Sequence, residues 1–363
     1  VNISNINKSL RSQKLILQAK NIAKNKAPYD LVKKMRASIL VLGPLLARTG
    51  KAIVSLPGGC AIGTRPVDIH LKSLEKLGAI ISIEDGYIFA KAPKGLRGNK
   101  IIFPKISVGA TTNILMASVL ANGTTEIVNS AKEPEIIDLG NCLKSMGAKI
   151  HGLGTNRIVI QGVSSLKESS YQVMYDRIEI GTYALATAIT GGEIELLGAK
   201  KDFLNSFLNI LEIIGVKYFI TDESIIFKKN SNTLYPIDVT TEPYPGFPTD
   251  LQAQLMAVMS TSNGTSFITE NIFENRFMHV PELIRMGAKI KLKGNLAIIE
   301  GIKKLKGAEV MATDLRASVS LVLAGLVAEG ETNIGRVYHI DRGYQNIVEN
   351  LRECGAMIKR IKV

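Results

Sequence analysis

The run Ser55-Leu-Pro-Gly-Gly-Cys60-Ala-Ile-Gly-Thr-Arg65-Pro-Val-Asp68-Ile-His70 gathers a thiol, a guanidinium, a carboxylate and an imidazole on one short stretch. Pro57, Gly58, Gly59 and Gly63 predict a loop that lets a ligand approach the backbone. Cys60 stands at its apex, with Arg65 near enough in sequence to bias thiol chemistry; the competing reading is an inert loop thiol. A second run, Pro245-Gly-Phe-Pro-Thr-Asp250-Leu-Gln-Ala-Gln254, brings Asp250 to the start of an apolar helix. Helix capping and chemistry are both open to it. Other helix starts carry Arg36, Ser107 and Arg316, and backbone N–H groups beside such cations would hold an anion if the starts converge. Arg342 in Tyr338-His-Ile-Asp-Arg-Gly343 and the run Glu274-Asn-Arg276-Phe-Met-His279 are also conspicuous. The four histidines, His70, His151, His279 and His339, fit no metal-ligand spacing. With no Walker A loop and no G-x-G-x-x-G after a strand, neither a metal nor a dinucleotide cofactor is expected.

These residues hang on a repeat. Helix ends of the form L-x-x-Φ-G-[AV] place Gly78, Gly147, Gly215, Gly287 and Gly355 at separations of 69, 68, 72 and 68 residues. Each glycine is expected to close a helix with positive φ. In register with them, Ala/Ser/Leu-rich helices end at Gly50, Gly123, Gly192, Gly264 and Gly330 and run into β-branched strands. Helices without a broad polar face belong inside, with sheets around them. The unit is about 70 residues, larger than a solenoid repeat. Residues 1–3 and 15–17 match its later strands, so the first of six units is expected to be truncated, lacking its opening helix.

The chain has 363 residues, 46% apolar and 21% charged, which excludes a wholly disordered polypeptide. Three scattered cysteines build no disulfide framework and, with no signal peptide visible, point to the cytoplasm. Cys142 and Cys354 read as small core hydrophobes. No apolar stretch approaches the roughly 20 residues of a membrane span. Of the net charge of +13, residues 1–51 hold eleven Lys or Arg against Asp30 alone. That excess suits a nucleic-acid arm, an anionic-ligand site or a solvated Lys/Asn-rich surface, and no stacking aromatics accompany it.

Five motifs, Pro57-Gly-Gly-Cys60-x-Ile-Gly-x-Arg65-Pro-Val-Asp68, Phe247-Pro-Thr-Asp250-x-Gln-Ala-Gln254, Phe273-Glu-Asn-Arg-Phe-Met-His279, Ala312-Thr-Asp-Leu-Arg316-Ala-Ser and Tyr338-His-Ile-Asp-Arg-Gly343, together resemble the UDP-N-acetylglucosamine enolpyruvyl transferase family of peptidoglycan synthesis. The resemblance runs from about Ala27 to the C-terminus. It implies an α/β fold, the inside-out α/β barrel, in two domains of three repeated units, here divided as 1–174 and 175–363. It also implies transfer of the enolpyruvyl group of phosphoenolpyruvate to the sugar 3-hydroxyl of UDP-N-acetylglucosamine, with release of phosphate.

By that resemblance Cys60 donates a proton to phosphoenolpyruvate, Asp250 is the general base, and Arg36, Arg65 and Arg342 neutralise phosphate and carboxylate charge, Arg342 within the catalytic set. Arg316 couples ligand charge to closure. The nucleotide sugar falls to Arg65, Pro66, Val67, Asp68, Ile69, Lys105, Ile106, Ser107, Val108, Asp250 and Ile272. The expected partners are these two small molecules, with no cofactor, nucleic acid or membrane. The family's Gly-Ala-Lys-Asn motif has no counterpart, since Lys20-Asn21 is read as part of a strand-like segment of another unit. A chain lacking that contact is expected to be a poor catalyst. The alternatives are 5-enolpyruvylshikimate 3-phosphate synthase, which shares the fold and donor, and a truncated inactive relic.

Overall fold

The computed structural model describes residues 2–9, 12–33, 35–57, 66–229 and 233–361. They form two compact units: one from the residues up to 57 with 66–131 and 135–171, the other from 132–134 and the residues from 172 onward.

The repeat glycines do what their spacing requires. Gly78, Gly147, Gly215, Gly287 and Gly355 all have φ between 90° and 97°, left-handed geometry that a Cβ would penalise. Between such turns the chain builds one sheet pattern. Lys100–Ile102 lies parallel to Thr124–Val128 across the helix Val108–Ser118; Thr124–Val128 is antiparallel to Arg157–Gln161, which is antiparallel to Lys149–His151. The same order recurs for Lys26–Ala27, Lys51–Ser55, Tyr87–Lys91 and Ile80–Glu84, and for Asp238–Thr240, Thr265–Thr269, Leu296–Glu300 and Lys289–Lys293. Shorter versions join Glu193–Leu197, Ser224–Lys229 and Val216–Ile220, and Glu309–Met311 with Asn333–Gly335. Asn2–Ser9 pairs antiparallel with Ser12–Gln18. Lys20 and Asn21 fall in bends beyond that pair rather than in a strand.

The helices of low polarity are inside, as their composition demands. In the second unit Arg177–Thr190, Gln252–Met259 and Ala317–Gly325 pack on one another. Every residue of Gln252–Met259 is buried. Burying a Leu or Met side chain there contributes about 1.5–3 kcal/mol, and the sheets keep their polar alternates outward. In the first unit Leu42–Thr49 packs against Val108–Ser118 at Gly43, where a Cβ would stand 2.4 Å from Asn113 Oδ1. Two expectations about cysteine separate here. Cys142, in the helix Pro134–Ser145, is half-buried, but Cys354 is exposed because it follows the helix Ile347–Glu353 on its solvent side.

Candidate active site

In the first unit the helix Asp68–Lys76 carries His70 against the start of Val108–Ser118. The His70 ring lies close enough to Gly109 that a Cβ there would sit 3.2 Å from Nε2. Asn113 fixes the imidazole. Its Oδ1 accepts from Gly43 N at 2.8 Å, while Nδ2 donates to Ile39 O at 3.2 Å and faces His70 Nδ1 at 3.1 Å. Nδ1 is therefore the acceptor and the ring proton resides on Nε2. Burial pushes the His70 pKa down to about 4, helped by the Arg36 charge and opposed by Asp68. Through this neutral imidazole the helix Asp68–Lys76 packs on Val108–Ser118. Ile69 is buried, while Asp68, Lys105, Ile106 and Val108 are exposed. Ser107 caps its helix, accepting from Ala110 N at 3.2 Å. Beside Asp68 runs a groove of about 310 Å³ lined by Asp68, Ile69, Lys72, Lys76, Lys100 and Pro104.

In the second unit Asp250 lies in the single 3-10 turn Thr249–Leu251, ahead of Gln252–Met259. It does not cap that helix, so the capping reading fails. Its Oδ1 instead takes Arg276 Nη2 at 2.6 Å. Gln254 Nε2 donates to the Asp250 carbonyl at 2.8 Å, and to Thr182 Oγ1 and the Tyr344 hydroxyl at 3.2 Å each. Tyr344 is buried two residues past Arg342, so this network ties the Arg342 segment to the Asp250 turn. Arg316 lies over the Tyr344 ring at 5.2 Å, donates to Gly343 O at 3.2 Å, and pairs with Asp176 Oδ2 at 3.0 Å. Burial lowers the Arg316 pKa, but the Tyr344 phenol and the Asp176 and Asp250 carboxylates outweigh burial and raise it, so Arg316 is a permanent cation. Asp176 also caps Arg177–Thr190, accepting from Ile178 N and Glu179 N. The amides of Arg316 and Ala317, at the start of the helix Ala317–Gly325, donate to Asp314 Oδ1, so that helix start offers a ligand less than its sequence suggests. Arg342 is exposed and lines a cleft of about 570 Å³ with Glu179, Tyr344, Asn346 and Arg360.

The sequence-derived residues thus fall into two sets. Arg36 and the residues from Pro66 to Ile69 and Lys105 to Val108 belong to the first unit; Asp250, Ile272, Arg316 and Arg342 belong to the second. Cys60 and Arg65 lie outside the described residues. Sequence reasoning missed three supports: the Arg276 partner of Asp250, the Tyr344 hub, and the Asn113 bridge to His70. Arg276 was conspicuous only as part of a motif, and no spacing rule pairs it with a residue 26 positions earlier. Among the described residues no group of His, Cys, Asp and Glu could hold a metal ion. Among them, too, no helix is long and apolar enough to cross a membrane.

Residues 4–351 match the family model described as EPSP synthase (3-phosphoshikimate 1-carboxyvinyltransferase). Among solved structures, the enolpyruvyl transferase NikO from Streptomyces tendae superposes with a TM-score of 0.85 over 98% of this chain and 84% of its own, at 22% identity. EPSP synthase from Acinetobacter baumannii gives 0.67 over 89% and 78%, also at 22% identity. The fold is the enolpyruvyl transferase fold, and the chain belongs to this family of 1-carboxyvinyltransferases. Much greater similarity is to three proteins each named UDP-N-acetylglucosamine 1-carboxyvinyltransferase. Those of Dinoroseobacter shibae and Paramagnetospirillum magneticum are 58% and 59% identical over 96% of this chain and 82% and 81% of theirs. That of Gluconacetobacter diazotrophicus is 60% identical over 94% of this chain and 81% of its own.

Proposed function

We propose that this chain transfers the enolpyruvyl group of phosphoenolpyruvate to the 3-hydroxyl of UDP-N-acetylglucosamine, releasing phosphate, as a cytoplasmic step of peptidoglycan synthesis. The observation that carries the reading is the 58–60% identity to relatives bearing that name. The second unit supports it with a carboxylate suited to proton transfer. Asp250 is anchored through one oxygen, its side chain is 41% exposed, and Oδ2 meets no hydrogen-bond partner among the described residues.

The chemistry is addition followed by elimination. A thiol of ordinary pKa, about 8.5, is mostly protonated near neutrality, so Cys60 gives its proton to the methylene carbon of phosphoenolpyruvate. The sugar oxygen bonds to the central carbon as Asp250 takes the hydroxyl proton. The Cys60 thiolate then takes a proton back from the new methyl group as the carbon–oxygen bond to phosphate breaks, and the proton held by Asp250 leaves with the phosphate, giving the carboxyvinyl ether. Arg36, Arg65 and Arg342 offset the charge of phosphate and carboxylate, which is worth more in a water-poor site than in bulk. Arg316, already committed to Asp176 and Tyr344, couples ligand charge to closure. Pro66 to Ile69, Lys105 to Val108 and Ile272 take the nucleotide sugar, largely through backbone groups. The test is phosphate release from phosphoenolpyruvate with no acceptor, with UDP-N-acetylglucosamine, and with shikimate 3-phosphate. Release only with the nucleotide sugar is expected; release driven by shikimate 3-phosphate would overturn the acceptor assignment.

A further inference from the structure

The run Phe273-Glu-Asn-Arg-Phe-Met-His279 has no role in the chemistry above, yet it meets Asp250 directly. Arg276 is 4% exposed, and its hydrogen bond to Asp250 Oδ1 is charge-assisted and short, 2.6 Å. The Phe273 ring lies 5.6 Å from the guanidinium carbon, and Nε has no hydrogen-bond partner among the described residues. A buried guanidinium is costly unless paired, so its placement is explained by the carboxylate it holds. The same segment grips the neighbouring residue. Glu270, 3% exposed, accepts from Thr249 Oγ1 at 2.8 Å through Oε2, and from Ile272 N and Phe273 N at 2.8 and 3.1 Å through Oε1. Thr249 and Asp250 are thus held from one segment by two buried, oppositely charged side chains.

The geometry points to Arg276 and Glu270 as positioning residues for the reaction: together they fix the Thr249–Asp250 turn so that Asp250 Oδ2 is presented to the acceptor hydroxyl. This rests on the base role of Asp250. Arg276 touches no reacting atom; it acts through Asp250 by occupying Oδ1 and denying the carboxylate its other rotamers. A base displaced by an ångström loses rate far more than affinity, so kcat falls and KM moves little.

The test is single-turnover and steady-state phosphate release, with urea unfolding of each variant, for Arg276→Lys, Arg276→Met, Glu270→Gln, Asp250→Asn and the double variant Arg276→Met/Asp250→Asn. Arg276→Met is expected to lower kcat about 30-fold or more with KM within about threefold, and Arg276→Lys to recover part of the loss. Glu270→Gln, which keeps an acceptor for Thr249, is expected to lose less than Arg276→Met. The double variant should be no slower than Asp250→Asn within about twofold, because a positioning residue has nothing left to position. If the two losses multiply, Arg276 acts independently and the inference is wrong while the base role stands. If Asp250→Asn alone keeps more than about a tenth of the rate, the base role itself is wrong. Should Arg276→Met not fold, an Arg276→Lys or Glu270→Gln protein that folds and turns over at the unsubstituted rate overturns the inference equally.

Discussion

Acidification from pH 7.5 to pH 5 should weaken each unit through one buried histidine. His70 in the first unit and His279 in the second are both pushed from 6.5 to about 4, chiefly by burial. At His279 the Asp314 charge and a hydrogen bond with the Arg276 backbone oppose the shift, and the Arg276 charge adds to it. At His70 the Arg36 charge adds and Asp68 opposes. Because the folded value lies below the unfolded one, the unfolded chain binds more protons between those two pH values. Stability is therefore full above about pH 7 and falls as pH drops through 6.5 toward 4. The loss is about 2 kcal/mol per histidine by pH 5. Glu179, whose carboxyl is pushed up mainly by burial, works in the opposite direction and trims the slope in the second unit. The assay is urea unfolding at pH 7.5, 6 and 5 for the unsubstituted chain and for His279→Leu, which removes the titrating ring. The variant should lose roughly 2 kcal/mol less over that range than the unsubstituted chain. An unchanged pH slope in His279→Leu would refute the reasoning.

Two other outcomes follow from particular side chains. A phosphonate epoxide that mimics phosphoenolpyruvate should label Cys60, faster with UDP-N-acetylglucosamine present, while a neutral maleimide reaches the exposed Cys354; peptide mapping that puts the epoxide on Cys142 or Cys354 counts against the assignment. Cys60→Asp should keep activity because a carboxylic acid also donates a proton, and Cys60→Ser should nearly abolish it. Gly43→Ala should destabilise the first unit by about 1–3 kcal/mol in urea unfolding, since the added Cβ would meet Asn113 Oδ1 at 2.4 Å and its carbonyl at 2.5 Å; an unchanged midpoint would show that the helices part freely.

The glycine ladder made the fold legible because positive φ after a helix is a local requirement that sequence records directly. Helix burial was legible for a similar reason: Gln252–Met259 offers no continuous polar face to water. The partners of the candidate site were not. Whether Asp250 caps a helix or meets a cation depends on where a loop 26 residues later returns, a long-range fact that spacing does not encode. Likewise Cys354 falls by sequence in one of the repeat's helices but sits past the last helical turn, on the solvent side. Tyr344 reads as an ordinary core aromatic until its hydroxyl is seen bridging Thr182 and Gln254.

The measurement that bears most directly on the proposed reaction is product analysis of phosphoenolpyruvate and UDP-N-acetylglucosamine turned over in deuterium oxide. Addition followed by elimination passes through a transient methyl group, so mass spectrometry and proton NMR should find one carboxyvinyl group on the sugar 3-oxygen with deuterium in its vinyl carbon. A carboxyvinyl ether free of deuterium, or phosphate released while the nucleotide sugar returns unchanged, would contradict it.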